Sequence, residues 1–292
     1  MGNEHPECAA RLTAIEDRLR AVGLYDFLVH LDAPKATREQ LTRVHTSGHV
    51  DRMFTASPTA GIVWLDDDMA MNRFTIDAAL RAAGAVVLSA QRVVDGEFDN
   101  AFCCVRPPGH HAERQVAKGF CFFNNVAVGA AHALDVLGIE RIAVLDFDAH
   151  YCNGTDDILA RDRRVLICSI YQQSIFPRVS PEPLPARAIH VPLATGASGV
   201  EFKRLVGTKW FPALRRFKPQ LIFISAGFDG HVEDDMAGLR LQSSDYSWVT
   251  QQIVELADEH AEGRIVSVLE GGYALNALGR SAVEHVRVLM GL

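Results

Sequence analysis

Six short apolar runs, each about the length of one β-strand, recur along this chain of 292 residues. They are "AFCCV", "RIAVLDF", "VLICSI", "AIHVPL", "QLIFISAG" and "RIVSVLEGG", starting at residues 101, 141, 165, 188, 220 and 264. Runs that do not alternate with polar residues indicate strands buried on both faces, which is typical of a parallel sheet covered by helices. The runs therefore predict an α/β fold.

Helical patterns lie before and between these runs. Residues 7–22 carry apolar side chains at helical spacing, and 75–94 and 124–138 are rich in alanine, with Gly138 as a stop. Strands separated by helices predict three layers, in which functional groups lie beyond the carboxyl ends of the strands. Since the chain shows no internal repeat or long linker, we expect one domain over residues 1–292.

Composition bounds the partners and the compartment. A formal net charge of -7 argues against a general nucleic-acid binder, and no apolar run reaches the 18 residues of a membrane span. The opening "MGNEHPECAARL" has no secretory pattern, and the six cysteines contain no CxxC pair. We therefore expect reduced thiols in a cytoplasmic protein with no membrane or nucleic-acid partner.

Polar residues follow four of the predicted strands. The segments are "CCVRPPGHHAE", "VLDFDAHYCNG", "FISAGFDGH" and "SVLEGGYAL". Together they supply imidazole, carboxylate, amide and phenol groups: His110, His111, Asp146, Asp148, His150, Asn153, Asp229 and Tyr273. These are the groups that metal-assisted hydrolysis needs.

A metal site is the sharpest interpretation of these segments. If the backbone is still extended at 148–150, Asp148 and His150 lie on one side and can reach one ion, with Asp229 as a third ligand. Two carboxylates and one imidazole would leave a coordination position open, as in catalytic zinc sites. Taken singly, each aspartate is an ordinary turn residue, tandem histidines are unspecific, and Tyr273 is compatible with a packed aromatic.

The same segments resemble a known family. "RPPGHHA", "GFCFFNN", "VLDFDAHYCNGT", "SAGFDGH" and "EGGYAL" have the order and spacing of the zinc-dependent histone deacetylase superfamily, which includes acetoin-utilisation-like proteins and acetylpolyamine amidohydrolases. The resemblance runs from about His5 to a final helix near the end of the sequence, so it covers nearly the whole chain. It implies an arginase-like α/β fold with an open sheet of about eight mostly parallel strands, and hydrolysis of an acylated lysine peptide or a small acylated amine.

The resemblance also implies a role for each residue. Asp148, His150 and Asp229 would bind one zinc ion, and Tyr273 would stabilise the oxyanion. His111 would be the general base and then the general acid beside His110. The outer ring nitrogens of the two histidines would be held by Asn153 and Asp146, respectively.

Two further sets follow from the same resemblance. The acyl chain and its stem would contact Gly119, Phe120, Phe176 and Gly271. A structural potassium ion would be bound by oxygens of Asp146, Asp148, His150 and Ser169, since hard cations prefer oxygen ligands. A homo-oligomer is compatible with the sequence.

The chain also departs from the family pattern. Tyr151 and Cys152 replace the usual His-Gly pair, and the acidic run Asp66–Asp68 is either a rim for a cationic substrate or a solvated loop. An arginase-like or other amide or ester hydrolase is an alternative, but Cys152 occupies the position where a second metal would need an aspartate. A non-catalytic acyl-ligand-binding module is the third hypothesis, against which His110, His111 and Tyr273 together argue.

Overall fold

The structure is a computed structural model that describes residues 5–178 and 187–292. A 3₁₀ turn, Tyr25–Phe27, follows the first helix. The α-helices of the described ranges are α1 (Ala10–Ala21), α2 (Arg38–Thr42), α3 (Ser47–Ala56), α4 (Thr75–Val94), α5 (Asn125–Asp135), α6 (Asn153–Leu159), α7 (Gly199–Phe217), α8 (Ser243–His260) and α9 (Leu275–Leu289). The three helices predicted from the apolar spacing correspond to α1, α4 and α5, and the Asn124 side chain caps α5 by accepting from the Ala127 amide.

Each of the six apolar runs overlaps one strand of a single parallel sheet. These strands are β3 (Asn100–Cys103), β4 (Ile142–Asp146), β5 (Val165–Gln172), β6 (Ala188–Leu193), β7 (Leu221–Ala226) and β8 (Ile265–Leu269), in the spatial order β3-β8-β7-β4-β5-β6. All neighbouring pairs are parallel. The α/β fold predicted from the runs is therefore confirmed.

The expected number of about eight strands in this sheet differs from the six of the described sheet. The two remaining strands, β1 (Ile62–Trp64) and β2 (Ala70–Asn72), pair only with each other, as an antiparallel hairpin. Each has three residues, and all three residues of β1 are exposed. The exposure of β1 and the three-residue length of both strands leave this hairpin outside the covered sheet, although Ala70 and Met71 of β2 are buried.

Successive residues of the central strands face two separate cores. Ile142 and Val144 of β4 pack with α4 and α5 on one face, while Ala143 and Leu145 pack with α1, α7, α8 and α9 on the other. This is why the run has no polar alternation, since both faces of the strand are buried. The two cores fix the positions of the strand ends.

The outer edge of β3 is open in the described part of the chain. A cavity of about 770 Å³ lies between this strand and residues 27–33, and its lining includes Phe27, Val29 and Leu31. These three side chains are exposed by more than half. None of the residues predicted to act in catalysis lines this cavity.

The described residues bear on two further properties, the state of the cysteines and the presence of membrane-spanning helices. All six cysteines are free, and four of them, Cys103, Cys121, Cys152 and Cys168, are buried. Among the helices that the structure describes, none is both long enough and apolar enough to cross a lipid bilayer.

A buried histidine forms hydrogen bonds with two hydroxyl groups in the core between the sheet and helices α1, α7, α8 and α9. His285 of α9 is fully buried, and its Nδ1 and Nε2 lie 2.6 Å from the Thr250 hydroxyl and 2.8 Å from the Ser267 hydroxyl. Phe102, Phe147 and Phe228 surround the ring. Burial lowers the pKa of His285 to about 3, so the folded protein holds this imidazole neutral.

We expect His285 to make stability pH-dependent. Its pKa is about 6.5 in the unfolded chain and about 3 in the folded one, so the stabilisation is complete above pH 6.5 and is lost as pH falls. Between pH 6 and 4 the excess stability of the wild type over His285→Gln should shrink by about 1.4 kcal/mol per pH unit. Urea unfolding of both proteins at several pH values measures this slope. Parallel curves would contradict the assignment.

Candidate active site

The four strands whose ends carry the polar segments are neighbours in the sheet. Their order, β3-β8-β7-β4, brings the loops after Cys103, Leu269, Ala226 and Asp146 to one edge. Because all four strands are parallel, their carboxyl ends meet there. The sequence segments that were separate along the chain therefore form one site.

The three predicted metal ligands come together. Asp148, His150 and Asp229 are buried, and one ligand atom from each lies within 4.8 Å of the others. His150 Nδ1 is 3.1 Å from Asp148 Oδ1 and 2.8 Å from Asp229 Oδ2. The prediction assumed an extended backbone at residues 148–150, but β4 ends at Asp146 and these residues form bends. The bends turn the side chains of Asp148 and His150 toward Asp229.

The donor set fits a divalent cation. Burial alone would lower the pKa of His150, but the Asp229 carboxylate and hydrogen bonds to both aspartates raise it well above its ordinary value. A positive charge is thus favoured between the carboxylates, whether a proton or a metal ion supplies it. Two carboxylate oxygens and one imidazole nitrogen form a set that zinc accepts.

His110 and His111 stand side by side with different partners. His110 Nδ1 lies 2.9 Å from Asp146 Oδ2, and His111 Nδ1 lies 2.7 Å from Asn153 Oδ1. Burial opposes a charge on His110, but Asp148 and Asp146 raise its pKa to about 10. Burial and the two neighbouring imidazoles lower the pKa of His111 well below its usual value. The two adjacent rings therefore differ: the surroundings of His110 favour its charged form and those of His111 its neutral form.

The sequence interpretation missed Glu270, which follows β8 directly. Its buried carboxylate accepts hydrogen bonds from the amides of Gly109 (2.6 Å) and His110 (3.1 Å) and from the Ser225 hydroxyl. Burial raises the pKa of Glu270 to about 7. The one sequence signal that could have identified Glu270 is its position at a strand end, between an apolar run and a glycine pair.

Tyr273 lies on the turn between β8 and α9. The guanidinium carbon of the buried Arg11 is 4.8 Å from the centre of its ring, and the Phe120 ring centre is 6.0 Å away. Burial raises the pKa of the Tyr273 hydroxyl well above 10, so this group keeps its proton. The sequence analysis also missed Arg11, because this residue lies within the predicted helix 7–22 and has the appearance of an ordinary charged helix residue.

The remaining predicted substrate residues surround the same groups. The Phe176 ring is 4.9 Å from the His111 ring, and a Cβ at Gly119 would lie 2.5 Å from His111 Cδ2. Gly119 and Phe120 both have positive φ, 54° and 68°. A Cβ at Gly271 would lie 2.4 Å from Asp229 Oδ2 and 2.6 Å from Asp148 Oδ2. Glycine is therefore required at positions 119 and 271 by contact with the site.

A comparison with known sequences identifies the family. Residues 5–289 match the family described as the histone deacetylase domain. This chain belongs to that family. The match spans every residue of the site, from Arg11 to Tyr273.

Several curated relatives are named as deacetylases or amidohydrolases. A "Probable deacetylase" of Archaeoglobus fulgidus is 37% identical over 279 residues, which cover 93% of this chain and 77% of that protein. The histone deacetylase-like amidohydrolase of Pseudomonas aeruginosa is 36% identical over 278 residues, with coverages of 93% and 72%. Histone deacetylase 5 of Arabidopsis thaliana is 34% identical over 310 residues, but the alignment covers only 46% of that longer protein. The family is one of hydrolases that act on amide bonds.

A solved structure agrees with the fold. The HD domain of HDA15 superposes with a TM-score of 0.92 at 31% identity, over 100% of this chain and 84% of that one. The histone deacetylase-like fold that the motifs implied is thus confirmed.

The two departures from the histone deacetylase pattern are accommodated without strain. Cys152 has φ of -78°, so the turn does not need glycine there. Tyr151 is buried, and its hydroxyl donates to the Asp156 carboxylate while its ring packs 5.1 Å from Tyr171. Asp66 turns the β1–β2 hairpin by accepting from the amides of Asp68 and Met69, a structural use of the acidic run.

We expect Gly271→Ala to weaken metal binding. The added methyl group would overlap the carboxylates of Asp148 and Asp229, and it must displace at least one of them. Disturbing ligand orientation typically costs about 10- to 100-fold in metal affinity. A competition titration of zinc with a chromophoric chelator measures the change.

Gly207→Ala is the matched control. Gly207 lies in α7, its Cβ would meet nothing within 4 Å, and alanine favours a helix. This variant should bind zinc like the wild type. Equal affinity in all three proteins would show that position 271 tolerates a side chain.

Proposed function

We propose that this chain is a zinc-dependent deacylase: one catalytic domain that hydrolyses the N-acyl amide of a lysine side chain or a small amine. The observation that carries the proposal is the convergence of Asp148, His150 and Asp229 beside two histidines, each held by a partner side chain. A buried ligand set next to oriented acid–base groups is the arrangement of metal-assisted hydrolysis. The family's amidohydrolases support this class of reaction.

The proposed zinc ion would be held by Asp148, His150 and Asp229. When bound, zinc supplies Lewis acidity, which polarises a substrate carbonyl and makes water more acidic. The two carboxylates would offset its charge in a buried position. Each carboxylate is already oriented by backbone amides: Gly271 donates to Asp148 (2.8 Å) and Ala149 donates to Asp229 (2.9 Å).

His111 is the proposed general base. The Asn153 amide nitrogen donates to the His111 carbonyl (3.2 Å) and to Glu113 (2.7 Å), which fixes the amide oxygen toward His111 Nδ1. That oxygen can only accept, so Nδ1 carries the hydrogen and Nε2 is free to take a proton from water. The same nitrogen would later return the proton to the leaving amine. His110, oriented by Asp146, would stand beside it.

Tyr273 is the proposed donor to the developing oxyanion. Its hydroxyl keeps its proton because desolvation raises the pKa of this group, and Arg11 contacts the partly buried ring. Phe120 and Phe176 would pack against the acyl chain and its stem, while Gly119 and Gly271 leave space that a side chain would fill. Aromatic walls suit the apolar methylenes of an acylated lysine or amine.

A potassium ion is a further element of the proposal. The Ser169 hydroxyl is buried and has no hydrogen-bond partner among the described residues, and Ser169 pairs with Asp146 across β4 and β5. An unpartnered buried hydroxyl is costly unless something binds it. Oxygens of Asp146, Asp148, His150 and Ser169 would supply the hard ligands that this cation prefers.

The substrate partner would be a soluble acylated peptide or small amine encountered in the cytoplasm. Six free cysteines suit a reducing compartment. We infer no need for a membrane or nucleic-acid partner in the reaction itself.

The first test is release of acyl groups from acyl-lysine peptides, acetylpolyamines and fluorogenic acyl-amides by the zinc-loaded chain. We expect turnover of one of these classes, abolished by a chelator and restored by added zinc. Assays by mass spectrometry identify both product and substrate class. A chain with one bound zinc that hydrolyses none of them would favour the binding-module hypothesis.

Tyr273→Phe should leave zinc content unchanged and lower kcat about 10²- to 10³-fold, because one oxyanion donor is removed. Steady-state kinetics on the substrate found above, together with elemental analysis, measure both effects. A kcat within about threefold of the wild type would refute the role of the hydroxyl.

A further inference from the structure

The turn that carries Tyr273 is held by a carboxylate from another loop. Asp234 follows β7 by eight residues, and its Oδ2 accepts hydrogen bonds from the amides of Tyr273 (2.6 Å) and Ala274 (2.9 Å). Its Oδ1 accepts from the Met236 amide (3.1 Å), and the residue is buried. Three backbone donors on one buried carboxylate leave it little freedom to move.

The turn needs such an external partner because its own sequence supplies none. Gly271 and Gly272 precede Tyr273, and Gly272 has φ of 119°, a conformation that glycine reaches easily but does not enforce. Ala274 is the N-cap of α9, and its methyl side chain cannot accept a hydrogen bond. Asp234 therefore holds the two residues that lead into α9, Tyr273 and Ala274, from outside the helix.

The opposite side of the turn is held by Arg11. Its Nε donates to the Gly272 carbonyl (2.6 Å), its guanidinium also donates to the Glu270 carbonyl, and Glu7 pairs with it at 3.4 Å. Within residues 270–274, Arg11 thus donates to backbone carbonyl oxygens and Asp234 accepts from backbone amides. Together these hydrogen bonds fix the backbone at Tyr273, from which its side chain extends.

We propose that Asp234 is a positioning residue: its carboxylate fixes the 270–274 turn and thereby places the Tyr273 hydroxyl for the reaction. The inference rests on the proposed role of Tyr273. Asparagine at 234 has nearly the same shape but no charge, and its NH₂ must face one of the two sides that now meet backbone donors. The bonds to the Tyr273 and Ala274 amides are therefore weakened if the amide oxygen faces them and lost if the NH₂ does. The turn should then shift or loosen.

A double-mutant cycle on the zinc-loaded full chain tests this. Asp234→Asn alone should lower kcat about 10- to 100-fold, since a displacement of about 1 Å has this effect on catalysis. In a Tyr273→Phe background the same substitution should lower kcat less than about threefold, because the hydroxyl that it positions is already gone. Equal losses in both backgrounds would overturn the proposal.

Asp245→Asn is the matched control. Asp245 is also buried and also accepts from a backbone amide at a helix start, that of Gln242 (2.8 Å), but it has no contact with the turn. It should change thermal stability and leave kcat within about twofold. A kcat loss in Asp245→Asn as large as in Asp234→Asn would assign both to general destabilisation and overturn the proposal.

Hydrogen exchange separates this inference from the proposed reaction. In the zinc-loaded protein, Asp234→Asn should speed amide exchange in residues 270–276 at least about tenfold, while Asp245→Asn should not. If the wild type hydrolyses no substrate, this exchange result still decides whether Asp234 holds the turn. Unchanged exchange would refute it. If Asp234→Asn does not fold, Asp234→Glu, which keeps the charge but moves the carboxylate, takes its place.

Discussion

Buried negative charge is the constraint on which the rest of this structure depends. Asp146, Asp148, Asp229 and Glu270 are all fully or almost fully buried at one edge of the sheet. Removing an isolated carboxylate from water costs several kcal/mol, so four neighbours are tolerable only with partners. Imidazoles, backbone amides and the proposed cations are those partners. The parallel strands make the arrangement possible, because their ends deliver donors and acceptors from four segments to one place.

Much of the compensation comes from the backbone and not from side chains. The amides of Asp148, His150, Ala149, Gly271, Gly109 and His110 all donate to these carboxylates. Such donors cannot rotate away, so they orient the carboxylates before any ligand arrives. They also demand close approach of chain to chain, which explains why a methyl group at Gly227 would lie 2.1 Å from Asp148 Oδ2. The same close approach of the backbone therefore stabilises the buried carboxylates and excludes side chains beside them.

The sequence predicted those parts of the molecule that local pattern determines. The six apolar runs located the strands of the sheet, and the polar residues after them predicted the ligand set Asp148, His150 and Asp229, which the fold brings together. The partners of His110 and His111 were expected from the family resemblance alone. Glu270, Arg11 and Asp234 were not found, because each acts through backbone groups far away in the chain, and no spacing rule encodes such contacts. The bends at 148–150 were missed for the same reason: the Asp146 and Asp148 carboxylates stabilise them locally, against the extended pattern of the run. The strand count of about eight came from the resemblance, whereas the six strands of the described sheet correspond to the six apolar runs.

The open edge of β3 has a consequence for the chain in concentrated solution. An uncovered strand edge offers unpaired amides and carbonyls to any passing polypeptide, and the exposed Phe27, Val29 and Leu31 beside it add apolar attraction. Two features oppose this. The strand is only four residues long, and the exposed Asp99 stands at its entrance, where a second negatively charged copy would meet like charge. Of these two features only the charge responds to salt, so its contribution against self-association at this edge weakens when salt screens it.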